Sequence, residues 1–507
     1  MFDALFTTTT EYKKLSHALS GKGACALFGL PASGRAQVYA ALCRQLDKPL
    51  CIVTPGEAEA TRFAADLNTL GIPAAVFPAR DYVLRPIEGT AREYEYRRLA
   101  VLGELVGGRL RAVAVPAEAL TQFTTPKEDF CANTRTLHAG DTLLRDDLLA
   151  ALFGAGYTRR AQVDGPGQFS VRGDIVDIFA PDQKMPVRME FWGDEIDTLH
   201  TFDLTTQRRE DAIDKFYLSP AREVLFGKPA DAAEQLRAFL AKQRGKKKTA
   251  MADCMAADLD LLDGGAVPVN MDKYLAVRYP HPATVLDYFD DPILVAEEPA
   301  SIREADRATA YRRGEELKSL ILDGVLCAGL DNLYADPSYL WSKTGHYRTI
   351  CAENFARSMP DQPLKDIINA PAHTLPAWNG EVAGLLEDLK PLCDAGYTVT
   401  LLAGTDRAAA GLARDLRDKG ILVTTDAAAA PAAGLVQVLA GHLSAGCEFP
   451  FAKYALLTGR AFGETSSQKK KRKKAKDALN SLTEITPGDL VVHQNHGIGR
   501  YAGIQRM

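Results

Sequence analysis

"GACALFGLPASGRAQVYAALCRQL" (residues 23–46) places an apolar run, a glycine-bounded loop and an apolar-periodic stretch in direct succession. A short apolar run followed by 3.6-residue periodicity predicts a strand, a turn and a helix. Gly29 and Gly34 have the separation of a phosphate-binding loop, whose backbone N–H groups cradle phosphate at a helix N-terminus. Such a loop carries Lys and then Ser or Thr; here Arg35 and Ala36 stand in those places. Arg35 still offers positive charge, but Ala36 has no hydroxyl for Mg²⁺. The expectation is a degenerate loop (Gly29, Gly34, Arg35, Ala36) that forms a strand-to-helix turn without hydrolysis, with weak nucleotide binding left open.

The pattern repeats outward from this stretch. "PLCIVTP" (49–55) precedes "EAEATRFAADLNTLG" (57–71), and "PAAVFPARDY" (73–82) precedes "AREYEYRRLAVLGELVGG" (91–108) and "RAVAVPAEAL" (111–120). Strands alternating with helices at this spacing predict a parallel sheet covered by helices. From 126 to 210 the period changes to 2. In "MPVRMEFWGDEIDTLHTF" (185–202), Val187, Met189 and Phe191 share one face and Arg188, Glu190 and Trp192 the other. With "GQFSVRGDIVDIFA" (167–180), where Gly173 permits a bend, this predicts an inserted β-rich domain with one buried face. Arg159, Arg160, Arg172, Arg188 and Glu190 are expected on its outward face, a surface suited to forked pairing with a partner's carboxylates.

The fold class expected is therefore multidomain α/β. Residues 1–125 form the first half of an α/β domain, 126–210 the β-rich insertion, and 211–335 the second half. A second small α/β domain covers 345–460, a basic linker 461–481, and residues 482–507 open another β-rich unit. The run Ile293–Ala296 ends in Glu297 and Glu298, where a metal-holding carboxylate would lie. The linker holds Lys469, Lys470, Lys471, Arg472, Lys473 and Lys474; such a block is a solvated spacer or a salt-sensitive contact to DNA phosphates. The chain still reads as strand where it stops at Met507, which suggests a truncated protein.

Bulk properties exclude several classes. At 507 residues the chain is long enough for about three to five domains. Its 46% hydrophobic and 25% charged residues are ordinary for a globular protein, and a net charge of -5 names no partner. Nine scattered cysteines without a C-x-x-C pair argue against zinc and against a disulfide framework, and suit a reducing compartment. His493 and His496 have no accompanying cysteine or carboxylate cluster, so no metal is expected there. There is no apolar signal core and no run of ~18 apolar residues, so a cytoplasmic protein without membrane contact is expected.

"FPARDY" (77–82), "EYRRLAVLGEL" (95–105), "GQFSVRGDIVDIFAP" (167–181) and "VRMEFWGDEID" (187–197) together resemble the module shared by the excision-repair protein UvrB and the bacterial transcription-repair coupling factor. UvrB has an intact phosphate loop; the coupling factor is similar to this chain in having a decayed one. "PGDLVVHQNHGIGRYAGI" (487–504) resembles the start of the coupling factor's RNA-polymerase-interacting domain, a β-barrel of the CarD/Tudor kind. The resemblance covers essentially the whole chain in matching order. It implies a degenerate RecA-like, UvrB-homologous domain and a UvrA-binding insertion. Arg172 lies in the matched motif, with Arg159, Arg188 and Glu190 around it. It further implies a contact to the polymerase β subunit through His493, Asn495, Gly497, Ile498, Gly499 and Tyr501. The family's ATP- and Mg²⁺-dependent translocase on double-stranded DNA would lie beyond these residues, so neither cofactor nor catalytic residue is expected here. The competing reading is a UvrB-like damage-verification ATPase or helicase subunit with an unusual loop.

Overall fold

The structure, a computed structural model, describes residues 5, 7–86, 92–355, 363–378, 382–430 and 432–459, and the backbone of 490–493 and 497–500. Its centre is a seven-stranded, wholly parallel sheet. From one edge the strands run Leu364–Asn369, Gly23–Phe28, Arg348–Glu353, Ile293–Glu297, Leu50–Thr54, Ala112–Pro116 and Ala74–Val76. Parallel strands are covered on both faces, and so read as continuous apolar runs. On one face Cys25, Leu27, Ile52, Ala114, Val295 and Ile350 pack under helices Thr10–Ala18, Ala32–Leu46 and Glu57–Thr69. On the other, Phe28, Val53, Val115, Leu294 and Cys351 meet Leu99 and Leu102 of helix Glu93–Val106 and Ile302 of helix Pro299–Leu322.

The expected unit at 345–460 loses its first two strands to this sheet. Arg348–Glu353 and Leu364–Asn369 flank Gly23–Phe28, so the edge of the first α/β layer is completed from far downstream. The separate unit begins at His373. Its six-stranded sheet runs His373–Leu375, Gly446–Phe449, Tyr454–Thr458, Thr398–Leu402, Val436–Leu439 and Val423–Thr424, with helices Val382–Asp394 and Asp406–Asp418 over one face. Its other face, through Leu443, Cys447, Phe449 and Tyr454, joins the core of the main sheet.

The insertion is a six-stranded sheet in the order Arg209–Ala212, Glu195–Phe202, Val187–Trp192, Ile175–Phe179, Gln168–Arg172, Thr158–Arg159. A two-stranded stem, Arg135–His138 against Lys215–Leu218, closes it, so the insertion ends near 218 and not at 210. Val187, Met189 and Phe191 are buried, as the period-2 pattern predicts. Beyond the stem, helices Pro229–Ala241 and Gly245–Asp263 pack with Tyr82, Leu84 and Leu326 into a separate helical core. Leu490–His493 and Gly497–Arg500 form an antiparallel hairpin. Lys469–Lys474, Asn495, His496 and Tyr501 lie outside the described residues.

Candidate functional site

The strand-to-helix turn comes first. The helix begins at Ala32, so the connection from Phe28 is only Gly29–Pro31, and Gly34 already lies inside the helix. A phosphate cradle needs its loop before the helix starts; here that backbone is spent on helix. Gly29 takes φ 86°, and its carbonyl accepts from the N–H of Ala372 at 2.9 Å. A Cβ on Gly34 would lie 2.9 Å from Cys447 Sγ and 3.4 Å from the Phe449 ring. Both glycines of the loop are therefore packed against downstream segments of the chain.

Arg35 does not face solvent. It is 2% exposed and sits 2.9 Å from Glu297 Oε2 and 3.0 Å from Glu298 Oε1. Its Nη1 also donates to the Leu30 carbonyl and to Asn354 Oδ1. Tyr39 donates to Glu297 Oε1 at 2.5 Å. Burial works against the Arg35 charge, but Glu297 and Glu298 hold its pKa above the ordinary value. Burial likewise pushes the Glu297 carboxyl up, opposed by Arg35. The acids at the place of a metal-holding carboxylate thus neutralise Arg35, and among the described residues no group of His, Cys, Asp and Glu is arranged to hold a metal.

The inserted sheet offers an open surface. Cross-strand register aligns Arg172, Ile175 and Glu190 in one row, and Ser170, Asp177 and Arg188 in the next. Asp177 is fully buried and accepts from Arg172 Nη2 at 2.5 Å, from Arg188 Nε at 2.7 Å and from Arg188 Nη2 at 3.0 Å. Arg172 keeps 47% of its side chain exposed. Its Nη2 is fixed by Asp177 while about half of the side chain stays exposed. Trp192, further along the same face, is 81% exposed and was not among the expected site residues. Its signal was available: it shares the alternating face of Arg188 and Glu190.

Two expected surface residues lie elsewhere. Arg188 is buried, stacked on Phe202 with its carbon 4.7 Å from the ring centroid, because residues 203–208 fold over that end of the sheet. Its hydrogen bonds to the Asp177 carboxylate hold its pKa up. Arg188 therefore positions Asp177 and presents no charge to a partner. Arg159 is exposed, but it pairs with Phe169, whose side chain is in the core; it is not on the row of Arg172. Glu190 is half-buried and ion-paired to Arg209.

"FPARDY" and "EYRRL" carry no open site. Arg80 pairs with Asp272 at 2.8 Å and Arg98 with Glu223 at 2.6 Å, while Glu95 accepts from the Glu223 N–H at 3.0 Å. Every one of these side chains is buried. They join the base of the insertion to the main body.

Comparison with known proteins agrees with this division. Residues 136–224, the stem and inserted sheet, match the UvrB interaction domain. Residues 485–507 match the CarD-like/TRCF RID domain. The chain is homologous at moderate identity, over most of its length, to bacterial transcription-repair-coupling factors. It is 27% identical over 496 residues to that of Bacillus subtilis, covering 95% of this chain and 42% of the relative. It is 26% identical over 497 residues to that of Staphylococcus haemolyticus, covering 94% and 42%. The chain thus spans 42% of the length of these relatives. Among the described residues no helix is long and apolar enough to cross a membrane.

Proposed function

We propose that this chain is the adaptor portion of a transcription-repair coupling factor, recruiting UvrA of nucleotide excision repair to RNA polymerase stalled at DNA damage. One observation carries the reading: half-exposed Arg172 is fixed by buried Asp177, on the same face as exposed Trp192, within the segment similar to the UvrB interaction domain. An arginine whose rotamer is already fixed loses less entropy on pairing with a partner's carboxylate. The bare indole supplies the large apolar contact that tends to dominate interfaces. Arg188 acts through Asp177, and Glu190 with Arg209 forms the neighbouring rim.

The terminal hairpin, with His493, Gly497, Ile498 and Gly499 and the adjoining Asn495 and Tyr501, is assigned to contact the polymerase β subunit. ATP, Mg²⁺ and movement on double-stranded DNA are assigned to the translocase of the whole factor. They are not assigned to the Gly29–Ala36 turn, whose buried Arg35–Glu297 pair also speaks against a UvrB-like ATPase. Lys469–Lys474 remain a proposed DNA contact.

Calorimetric titration with UvrA tests the adaptor reading. The chain should bind, and Arg172→Ala should weaken binding by about 1.5–3 kcal/mol, the worth of a charge-assisted hydrogen bond. A folded wild-type chain that does not bind UvrA would sink it.

A further inference from the structure

We propose that the tip of the helical hairpin Pro229–Ala241/Gly245–Asp263 binds the phosphate backbone of double-stranded DNA, independently of the basic run at 469–476. The tip reads "KQRGKKK" (242–248), and its cations Lys242, Arg244, Lys246, Lys247 and Lys248 are all exposed. Among the described residues none of the five enters an ion pair. The first acid along the helix from the lysines is Asp253; Asp258 and Asp263, further along, pair with Lys273 and Arg237. This is a local excess in a chain whose net charge is -5.

The arrangement does not serve the helix that carries it. A helix N-terminus favours acidic residues, because its free N–H groups and dipole are already positive. Here the first turn contains no acid and three lysines, and Arg244 at the N-cap makes no side-chain capping bond. Local choices that oppose the fold call for a reason outside it, and an anion docked on the tip supplies one. Gly245, with φ 59° and nothing within 4 Å of where its Cβ would be, leaves the backbone open to close approach. Successive helical residues diverge by about 100°, so Lys246, Lys247 and Lys248 leave the end of the helix in different directions, Lys247 across Gly329, and suit contact with neighbouring phosphates.

The missing aromatics narrow the ligand. Single-strand binders interleave stacking side chains with their cations, and residues 242–250 contain none. Charge without stacking fits a duplex backbone.

The test is fluorescence anisotropy of a short labelled DNA duplex with the whole chain. Wild type is compared with the triple variant Lys246→Ala, Lys247→Ala, Lys248→Ala, at about 50 and 200 mM salt. Each phosphate contact adds about -0.9 to the slope of log K against log salt, so three lost contacts should flatten it by about 2.7. Wild type should then lose roughly 40-fold more affinity than the variant over that range. The corresponding triple arginine variant should retain binding, because charge is what is read. An unchanged slope in the alanine variant overturns the proposal. So does loss of binding in the arginine variant, or displacement of duplex by polyglutamate as readily as by unlabelled duplex. Tighter binding of a single strand than of duplex would overturn the choice of ligand.

Discussion

Arg35 is where a nucleotide-binding reading and a structural one part company. Its charge was legible in the sequence, and so was the absence of a hydroxyl at Ala36. Its burial was not, because the groups that enclose it, Glu297, Glu298 and Asn354, come from distant segments. Loss of one partner of a buried pair leaves an uncompensated charge, which costs about 3–5 kcal/mol. Arg35→Ala should destabilise the protein on that scale. A stricter test restores the residues of a working loop through Arg35→Lys with Ala36→Thr. Lysine is a compact point charge and does not reproduce the fork between Glu297, Asn354 and the Leu30 carbonyl. Ala36 is fully buried, so threonine there also adds a hydroxyl to a filled core. The double variant should melt earlier than wild type and show no saturable binding of a fluorescent ATP analogue with Mg²⁺. Saturable binding would mean that the turn can open, and that only its side chains had closed it.

Among the elements, the helix Ala32–Leu46 and the strand Gly446–Phe449 are the least predictable pair, since nothing in either segment announces the other. Strand and helix existence followed from local period. The partition of strands between sheets did not, because the short segments Arg348–Glu353 ("RTICAE") and Leu364–Asn369 ("LKDIIN") carry no pattern that assigns them to one sheet over the other. Likewise the polar face of the inserted sheet was legible from alternation. The withdrawal of Arg188 was not, since it depends on a loop crossing that face. Contact between the helix and the downstream strand turns on Gly34. Replacing a glycine within a helix by alanine ordinarily stabilises, by up to about 1 kcal/mol. Here the new methyl would lie 2.9 Å from Cys447 Sγ, too close without a shift. Gly34→Ala should therefore destabilise, by about 1–3 kcal/mol as overpacking does. In a Cys447→Ala background the sulfur is gone, and the same change should become neutral or stabilising. A double-mutant cycle in urea measures the coupling; strictly additive effects would show that the two segments do not pack in solution as they do here.

At the scale of the whole molecule, the insertion is held to the main body by charges and not by apolar area alone. Arg80, Glu95 and Arg98 come from two of the motifs that carry the family resemblance, and they converge on Glu223, where the chain leaves the insertion, and on Asp272 beyond the helical pair. Sequence alone marked these residues as distinctive without saying why; the structure gives them a joining role. Such a network ties folding to pH. Burial would raise the Glu95 carboxyl, but Arg80, Arg222 and Arg92 outweigh it and hold the pKa at about 2, against 4.5 for the free side chain. As pH falls below 4.5 the unfolded chain takes up this proton while the folded chain does not until about 2. The stabilisation is complete above the upper value and lost between the two, an amount on the order of 3 kcal/mol at 1.36 kcal/mol per unit. Asp306 works in the opposite sense. Burial raises it from 3.8 to about 6, so its contribution favours the folded state at low pH and disappears as pH rises through 6. Comparing wild type with Glu95→Gln in urea between pH 5 and pH 2 isolates the first effect. The variant should be less stable at pH 5 and lose less stability on acidification. Parallel pH profiles for the two proteins would show that Glu95 does not carry its charge in the network, and that the insertion is anchored by packing.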